Sequence, residues 1–172
     1  MKLILTKSIR DIIDFPKKGI VFKDITPLLK DKKYLKLMID TFYNYYKSKK
    51  IDKVVSMESR GFIIGSALAY KLGAGFVPIR KKGKLPYKTI SVTYDLEYGK
   101  DTLEIHEDSI NPGERVLIVD DVLATGGTAK AVTQLINKLS GKIIGIGFLI
   151  ELSFLKGRNK LSNYNLYSII TY

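Results

Sequence analysis

Val116-Leu117-Ile118-Val119-Asp120-Asp121-Val122-Leu123-Ala124-Thr125-Gly126-Gly127-Thr128-Ala129 is the stretch on which the reading of this chain turns. Its four leading apolar residues predict a buried strand over Val116–Val119 that ends in two acids. A loop of small residues then opens a helix predicted over Thr128–Leu139, with Val132, Leu135, Ile136 and Leu139 facing inward and Gly141 ending it. Glycines let backbone N–H groups approach an anion closely, and a helix N-terminus adds a dipole worth about 0.3–1 kcal/mol when exposed and up to ~2 kcal/mol when partly buried. Ala124, Thr125, Gly126, Gly127 and Thr128 therefore read as a phosphate cradle, with the two threonine hydroxyls as further donors. No Gly-Lys-Ser/Thr follows and the three-glycine dinucleotide spacing is absent, which weakens kinase-like and hydride-transfer readings. Two carboxylates beside a phosphate repel it unless they hold another part of the same ligand. Ribose hydroxyls or a Mg²⁺ ion would satisfy Asp120 and Asp121, and a ligand with a phosphate at one end and a diol a few ångströms away is a ribose 5-phosphate.

Working outward, elements of alternating type surround this string. Asp31 caps a predicted helix running to about Ser48, whose apolar face is Leu35, Met38, Ile39, Phe42 and Tyr46. Val54–Met57 reads as a short buried strand, Gly61–Leu72 as a helix stopped at Gly73, and Phe76–Ile79 as the next strand. Ile90–Tyr94 and Thr102–Ile105 form a hairpin or flap, and Ile143–Ile150 is the fourth core strand. Apolar strands linked by helices predict an α/β fold, a parallel twisted sheet with helices on both faces, which binds ligands beyond the carboxyl ends of its strands. No repeat or linker divides the chain, so a single domain over residues 1–172 is expected.

Composition narrows the function classes. With 45% apolar and 27% charged residues the chain reads as an ordinary globular protein, and the lack of cysteine excludes disulfides, thiolate metal sites and cysteine nucleophiles. The first residues lack a signal-peptide core and the longest apolar run, Ile143–Ile150, is far too short to span a membrane, so a cytoplasmic location with no membrane partner is expected. A net charge of +12 suits nucleic acid and polyanionic small substrates alike and does not choose between them.

The string from Val116 to Ala129 resembles the signature of the type I phosphoribosyltransferases. In that family the acid pair holds the ribose hydroxyls and the loop holds the 5-phosphate. Phe15-Pro16-Lys17-Lys18-Gly19-Ile20-Val21-Phe22-Lys23-Asp24-Ile25-Thr26-Pro27-Leu28 is similar to the N-terminal hood segment of the adenine-specific members, so the resemblance implies adenine contacts at Val21, Phe22 and Lys23. Met57-Glu58-Ser59-Arg60-Gly61-Phe62 resembles the pyrophosphate loop, which implies pyrophosphate contacts at Glu58, Ser59 and Arg60 and a non-proline cis peptide between Glu58 and Ser59. With a pyrophosphate to hold, Arg80 and Lys84 of the basic run Arg80-Lys81-Lys82-Gly83-Lys84 become clamps. Leu96-Glu97-Tyr98-Gly99-Lys100 matches the family's catalytic loop, with Glu97 as the acid/base group and Tyr98 on the flap. The resemblance further implies a hood over approximately residues 1–30 and a flexible β flap over approximately 80–106. Its expected ligands are adenine, 5-phosphoribosyl 1-pyrophosphate, AMP and pyrophosphate, and Mg²⁺ would be held mainly by the substrate. A homodimer is implied as well, and no nucleic-acid partner is expected.

Two rivals stand beside this expectation. One keeps the fold and changes the base; the other is a non-enzymatic regulator that senses a phosphoribosyl compound and binds nucleic acid, although no helix-turn-helix or RNA-binding motif accompanies it. His106, the one histidine, is expected at the surface without a catalytic role.

Overall fold

A computed structural model describes residues 2–95 and 99–172. Its centre is a seven-stranded sheet built from β3 (Lys53–Met57), β4 (Gly75–Lys81), β5 (Thr89–Asp95), β6 (Lys100–His106), β7 (Arg115–Leu123), β8 (Lys142–Glu151) and β9 (Leu166–Thr171), in the order β5-β6-β4-β3-β7-β8-β9. The four strands predicted from apolar runs lie side by side and parallel, as β4-β3-β7-β8. β9 adds a fifth parallel strand, and the β5–β6 hairpin closes the other edge antiparallel. Leu166–Thr171 was missed as a strand because Tyr167 and Ser168 interrupt the apolar run that marks its neighbours.

Side-chain alternation puts one apolar set on each face. Val55, Met57, Val116 and Ile118 pack on one side against α5 (Gly127–Lys138), whose Ala131, Val132, Leu135 and Ile136 are buried. Val54, Leu117 and Val119 pack on the other against α3 (Lys32–Tyr46) and α4 (Arg60–Leu72) through Met38, Phe42, Ile64 and Leu68. The helix boundaries follow local chemistry. The Asp31 carboxylate accepts from the Lys33 and Tyr34 amides at 2.8 and 3.2 Å and so starts α3. Gly73 ends α4 in the left-handed conformation at φ 68°. At the end of α5 it is Ser140, at φ 58°, that turns left-handed, while Gly141 follows and donates to the Ile136 carbonyl. Ahead of the sheet lie α1 (Lys2–Lys7), a two-stranded antiparallel ribbon of β1 (Arg10–Ile13) and β2 (Val21–Asp24), and α2 (Thr26–Lys30).

β7 departs from expectation in a way that matters for chemistry. Instead of stopping at Val119 it runs on to Leu123, with Asp120 paired to Phe148 and Val122 to Ile150 of β8. Both acids therefore sit on regular sheet backbone, which fixes them more firmly than a loop would.

Candidate active site

The carboxyl ends of β3, β7 and β8 open into a cavity of about 390 Å³. It brings together Val21, Phe22 and Lys23 from β2, Glu58, Ser59 and Arg60 from the turn after β3, and Asp120, Asp121, Ala124 and Thr128 from β7 and its loop. Segments separated by nearly a hundred residues in sequence meet here because parallel strands all point the same end at the ligand. Ile20, Val122 and Leu152 complete the walls and were not foreseen. Their only sequence signal is apolarity, which core residues share.

A smaller recess of about 70 Å³ adjoins it, lined by Ala124, Thr125, Gly126, Gly127 and Thr128 over Met57 and Phe148. Gly126 is left-handed at φ 78° and stands immediately before the first turn of α5. The amides that open the helix are thus left without intrahelical partners, as at any helix start. The Thr128 hydroxyl lies 3.3 Å from the Tyr94 hydroxyl of β5, joining the recess to the hairpin.

The acid pair is the most perturbed group of the site. Burial first, and the neighbouring Asp121 charge second, push the Asp120 carboxyl well above the usual carboxylate range. Burial also raises Asp121, against the pull of the Arg60 guanidinium. Arg60 Nε stands 2.6 Å from Asp121 Oδ2, which is buried under it as an ion pair. Close approach depends on Gly61, since a Cβ there would run into the Asp120 carboxylate. On its other side the Arg60 guanidinium sits 4.8 Å from the centroid of the Phe22 ring, which Phe15 meets edge-on at 5.2 Å.

The turn after β3 contains the cis peptide between Glu58 and Ser59 that the resemblance implied. Burial raises the Glu58 carboxyl, but the Lys81 amide at 2.8 Å and Arg80 Nε at 2.9 Å outweigh it and hold the group below its ordinary value. Arg80 also donates from Nη1 to the Lys84 carbonyl at 3.1 Å. Neither Arg80 nor Lys84 lines the cavity: the structure places the Arg80 guanidinium on Glu58, at the back of the turn. Lys23 likewise turns its ammonium away, onto Asp11 at 2.8 Å and over the Tyr172 ring at 4.0 Å. His106 is half-buried rather than on the surface, edge-on to Tyr87, and far enough round the sheet to be absent from the cavity walls. Glu97 and Tyr98 lie outside the described residues.

Among the described residues no three His, Cys, Asp or Glu side chains gather as a metal cage. Asp120 and Asp121 nevertheless supply hard carboxylate oxygens at the cavity wall, a donor type that suits a Mg²⁺ ion held mostly by substrate oxygens and water.

Comparison with known proteins agrees with this geometry. The family described as the phosphoribosyl transferase domain matches residues 25–169. The adenine phosphoribosyltransferase of Halothermothrix orenii is 59% identical over 166 residues, covering 96% of this chain and 98% of that protein. The crystal structure of the adenine phosphoribosyltransferase of Thermoanaerobacter pseudethanolicus superposes with a TM-score of 0.98 at 50% identity, covering all of both chains. That of Saccharomyces cerevisiae, in complex with an imino-altritol 1,6-bisphosphate and adenine, superposes at 0.94 with 40% identity over 98% of this chain and 97% of its own. With so much of its length matched, and with the acid pair and the glycine loop lining adjoining pockets, the chain belongs to the phosphoribosyl transferase family.

Proposed function

We propose that the chain transfers the 5-phosphoribosyl group of 5-phosphoribosyl 1-pyrophosphate to adenine, giving AMP and pyrophosphate in purine salvage. The observation that carries this reading is the single cavity in which the β2 strand, the Glu58–Arg60 turn and the Asp120–Thr128 string converge. Near-full-length relatives named for this activity support the choice of adenine, as does the adenine bound in the yeast structure.

Each wall has a task. The terminal phosphate of the sugar enters the recess at Ala124–Thr128, where main-chain amides and two hydroxyls surround it. Asp120 and Asp121 accept hydrogen bonds from the ribose hydroxyls and align the anomeric carbon. The edge of β2 away from β1 presents backbone groups at Val21 and Lys23 to the base, and the Phe22 ring supplies a stacking face. An exocyclic amine next to a ring nitrogen offers one donor and one acceptor, which such an edge matches.

The bond from the anomeric carbon to pyrophosphate breaks as an imidazole nitrogen of adenine attacks the opposite face, and positive charge develops on the sugar. Arg60, with Ser59 beside it, faces the growing negative charge of the leaving group. Mg²⁺, when bound with the substrate, would neutralise pyrophosphate charge. Arg80 acts at one remove by fixing the Glu58 carboxylate, and Lys84 anchors Arg80 through its carbonyl.

Glu97 handles the purine proton, with Tyr98 beside it on the flap over approximately residues 80–106; this assignment rests on the family's catalytic loop. Glu97→Gln should lower kcat far more than it raises KM for the phosphoribosyl substrate, and unchanged turnover would remove Glu97 from the mechanism. The homodimer finds support in Ile63 and Tyr70, which are 45% and 91% exposed one above the other on α4. A cytoplasmic site of action fits the absence of cysteine, and no described helix is long and apolar enough to cross a membrane. Incubation with adenine, the phosphoribosyl donor and Mg²⁺ should yield AMP, and faster turnover of hypoxanthine, xanthine or orotate would overturn the choice of base.

A further inference from the structure

Against the backbone of the phosphate-recess loop lies a short segment with no part in the chemistry above. After β8 the chain makes two 3-10 turns, Ser153–Leu155 and Gly157–Leu161, before it enters β9. Gly157 is buried, and its backbone is pressed against the backbone of the recess loop. A Cβ on Gly157 would collide with the Ala124 carbonyl oxygen and stand 2.9 Å from the Gly126 nitrogen. Conversely, a Cβ on Gly126 would stand 2.5 Å from the Gly157 carbonyl oxygen. Two main chains thus touch with no side chain between them, and the loop that carries the phosphate-facing amides is backed by rigid polypeptide.

The backing turn is itself held in place. Arg158 grips the Glu151 carboxylate with Nε at 2.9 Å and Nη2 at 2.6 Å, and the Ser168 hydroxyl of β9 donates to Glu151 at 2.7 Å. The Glu151 side chain is 7% exposed, so its orientation is fixed by the sheet on which it stands. Leu161 closes the far end of the turn inside the core, in the same buried cluster as Val132 and Leu135 of α5. The Leu152 amide donates to the Leu123 carbonyl at 2.9 Å, tying the start of the segment to the end of β7.

We infer that Gly157 and Arg158, clamped by Glu151, form a positioning element for the phosphate loop, holding the Ala124–Thr128 amides at the spacing a sugar phosphate needs. The inference rests on the reading of that loop as the 5-phosphate site. Neither residue touches substrate. Preorganised donors lose binding energy when they must be reassembled around the ligand, so a disturbed backing should weaken phosphoribosyl ligands and spare the base.

Gly157→Ala is the direct test, read by steady-state kinetics and by calorimetry with ribose 5-phosphate. KM for 5-phosphoribosyl 1-pyrophosphate should rise about tenfold and ribose 5-phosphate should bind about tenfold more weakly, with KM for adenine unchanged. Gly127→Val serves as a control for the underlying reading, because Gly127 lines the recess and a Cβ there meets nothing nearer than 3.6 Å, at the Asp95 carbonyl and the Tyr94 ring, so the chain can fold while the first amides of α5 are crowded. If Gly127→Val weakens ribose 5-phosphate and Gly157→Ala does not, the positioning role is overturned and the site reading stands. If Gly127→Val leaves affinity intact, the site reading falls and takes the inference with it. Should Gly157→Ala fail to fold, Arg158→Ala takes its place. It should weaken ribose 5-phosphate selectively and be partly rescued in Arg158→Lys, whereas a lower Tm with equal losses for both substrates would mark a merely structural brace.

Discussion

Arg60→Ala lowers kcat/KM for the phosphoribosyl donor by about 10³-fold and moves the acid limb of its pH profile to higher pH. Three contacts make this side chain central: it lines the cavity, pairs with Asp121 at 2.6 Å and lies against the Phe22 ring. Removing one donor aimed at a developing negative charge costs about 10²–10³-fold in well-studied sites, and loss of the sugar-holding geometry adds to it. The pH effect has a definite sign. Asp121 must be ionised to serve as a charged acceptor for the ribose hydroxyls, and Arg60 is the charge that draws its raised carboxyl back down. Without Arg60 the carboxyl rises further, so protonation sets in at a higher pH and the limb shifts upward. Rate profiles of the two enzymes from mildly acid to mildly alkaline pH decide the point, and coincident acid limbs would refute it.

Asp120→Asn separates activity from stability in opposite directions. Turnover with saturating adenine should fall about 10²-fold, since hydrogen bonds to a charged acceptor are each worth about 1.5–3 kcal/mol. The folded protein should nonetheless melt at a higher temperature than the parent at neutral pH. Burial and the Asp121 charge make an ionised Asp120 costly in the native state alone, so its carboxyl is raised there. A raised carboxyl means the native state binds more protons than the unfolded one between the two pKa values, and stability falls as pH rises through that window. Asparagine keeps the shape and the acceptor oxygen without the charge. Its advantage is therefore full above the native carboxyl's pKa and vanishes as pH drops to the ordinary value of 3.8. Each kcal/mol regained raises Tm by roughly 2–4 °C at this chain length. Calorimetric melting at neutral and at strongly acid pH tests the claim, and a lower Tm at neutral pH would contradict it.

The core of the fold was legible because parallel strands buried on both faces announce themselves as apolar runs. Val54–Met57, Phe76–Ile79, Val116–Val119 and Ile143–Ile150 each mark a strand, and their helical links leave little choice of architecture. Edge elements were harder to see. Arg10–Ile13 is mostly exposed and Leu166–Thr171 buries only Ile169 and Ile170, so neither carries a continuous apolar run. Of the residues that line the cavity and its recess, Asp120, Asp121 and Gly126 could be picked from type and spacing, and Arg60 from the resemblance of its loop. Arg80 shows the limit of that method. The run Arg80–Lys84 suggests a pyrophosphate clamp by its concentrated charge, while the hydrogen bonds that Arg80 makes to Glu58 and to the Lys84 carbonyl are written nowhere in that run. Leu152 and Gly157 reach the site by the return path of the chain after β8, which no local pattern encodes.

Asp120 rests where Gly61 has no side chain, and Asp121 rests on Arg60, so the sugar-gripping acids and the first turn of α4 are one machine part made from two distant pieces of sequence. A designer who grafted only the acidic strand onto another scaffold would import two buried negative charges with nothing to receive them. Transplantation would succeed only if the opening of that helix, bare glycine included, travelled with the strand.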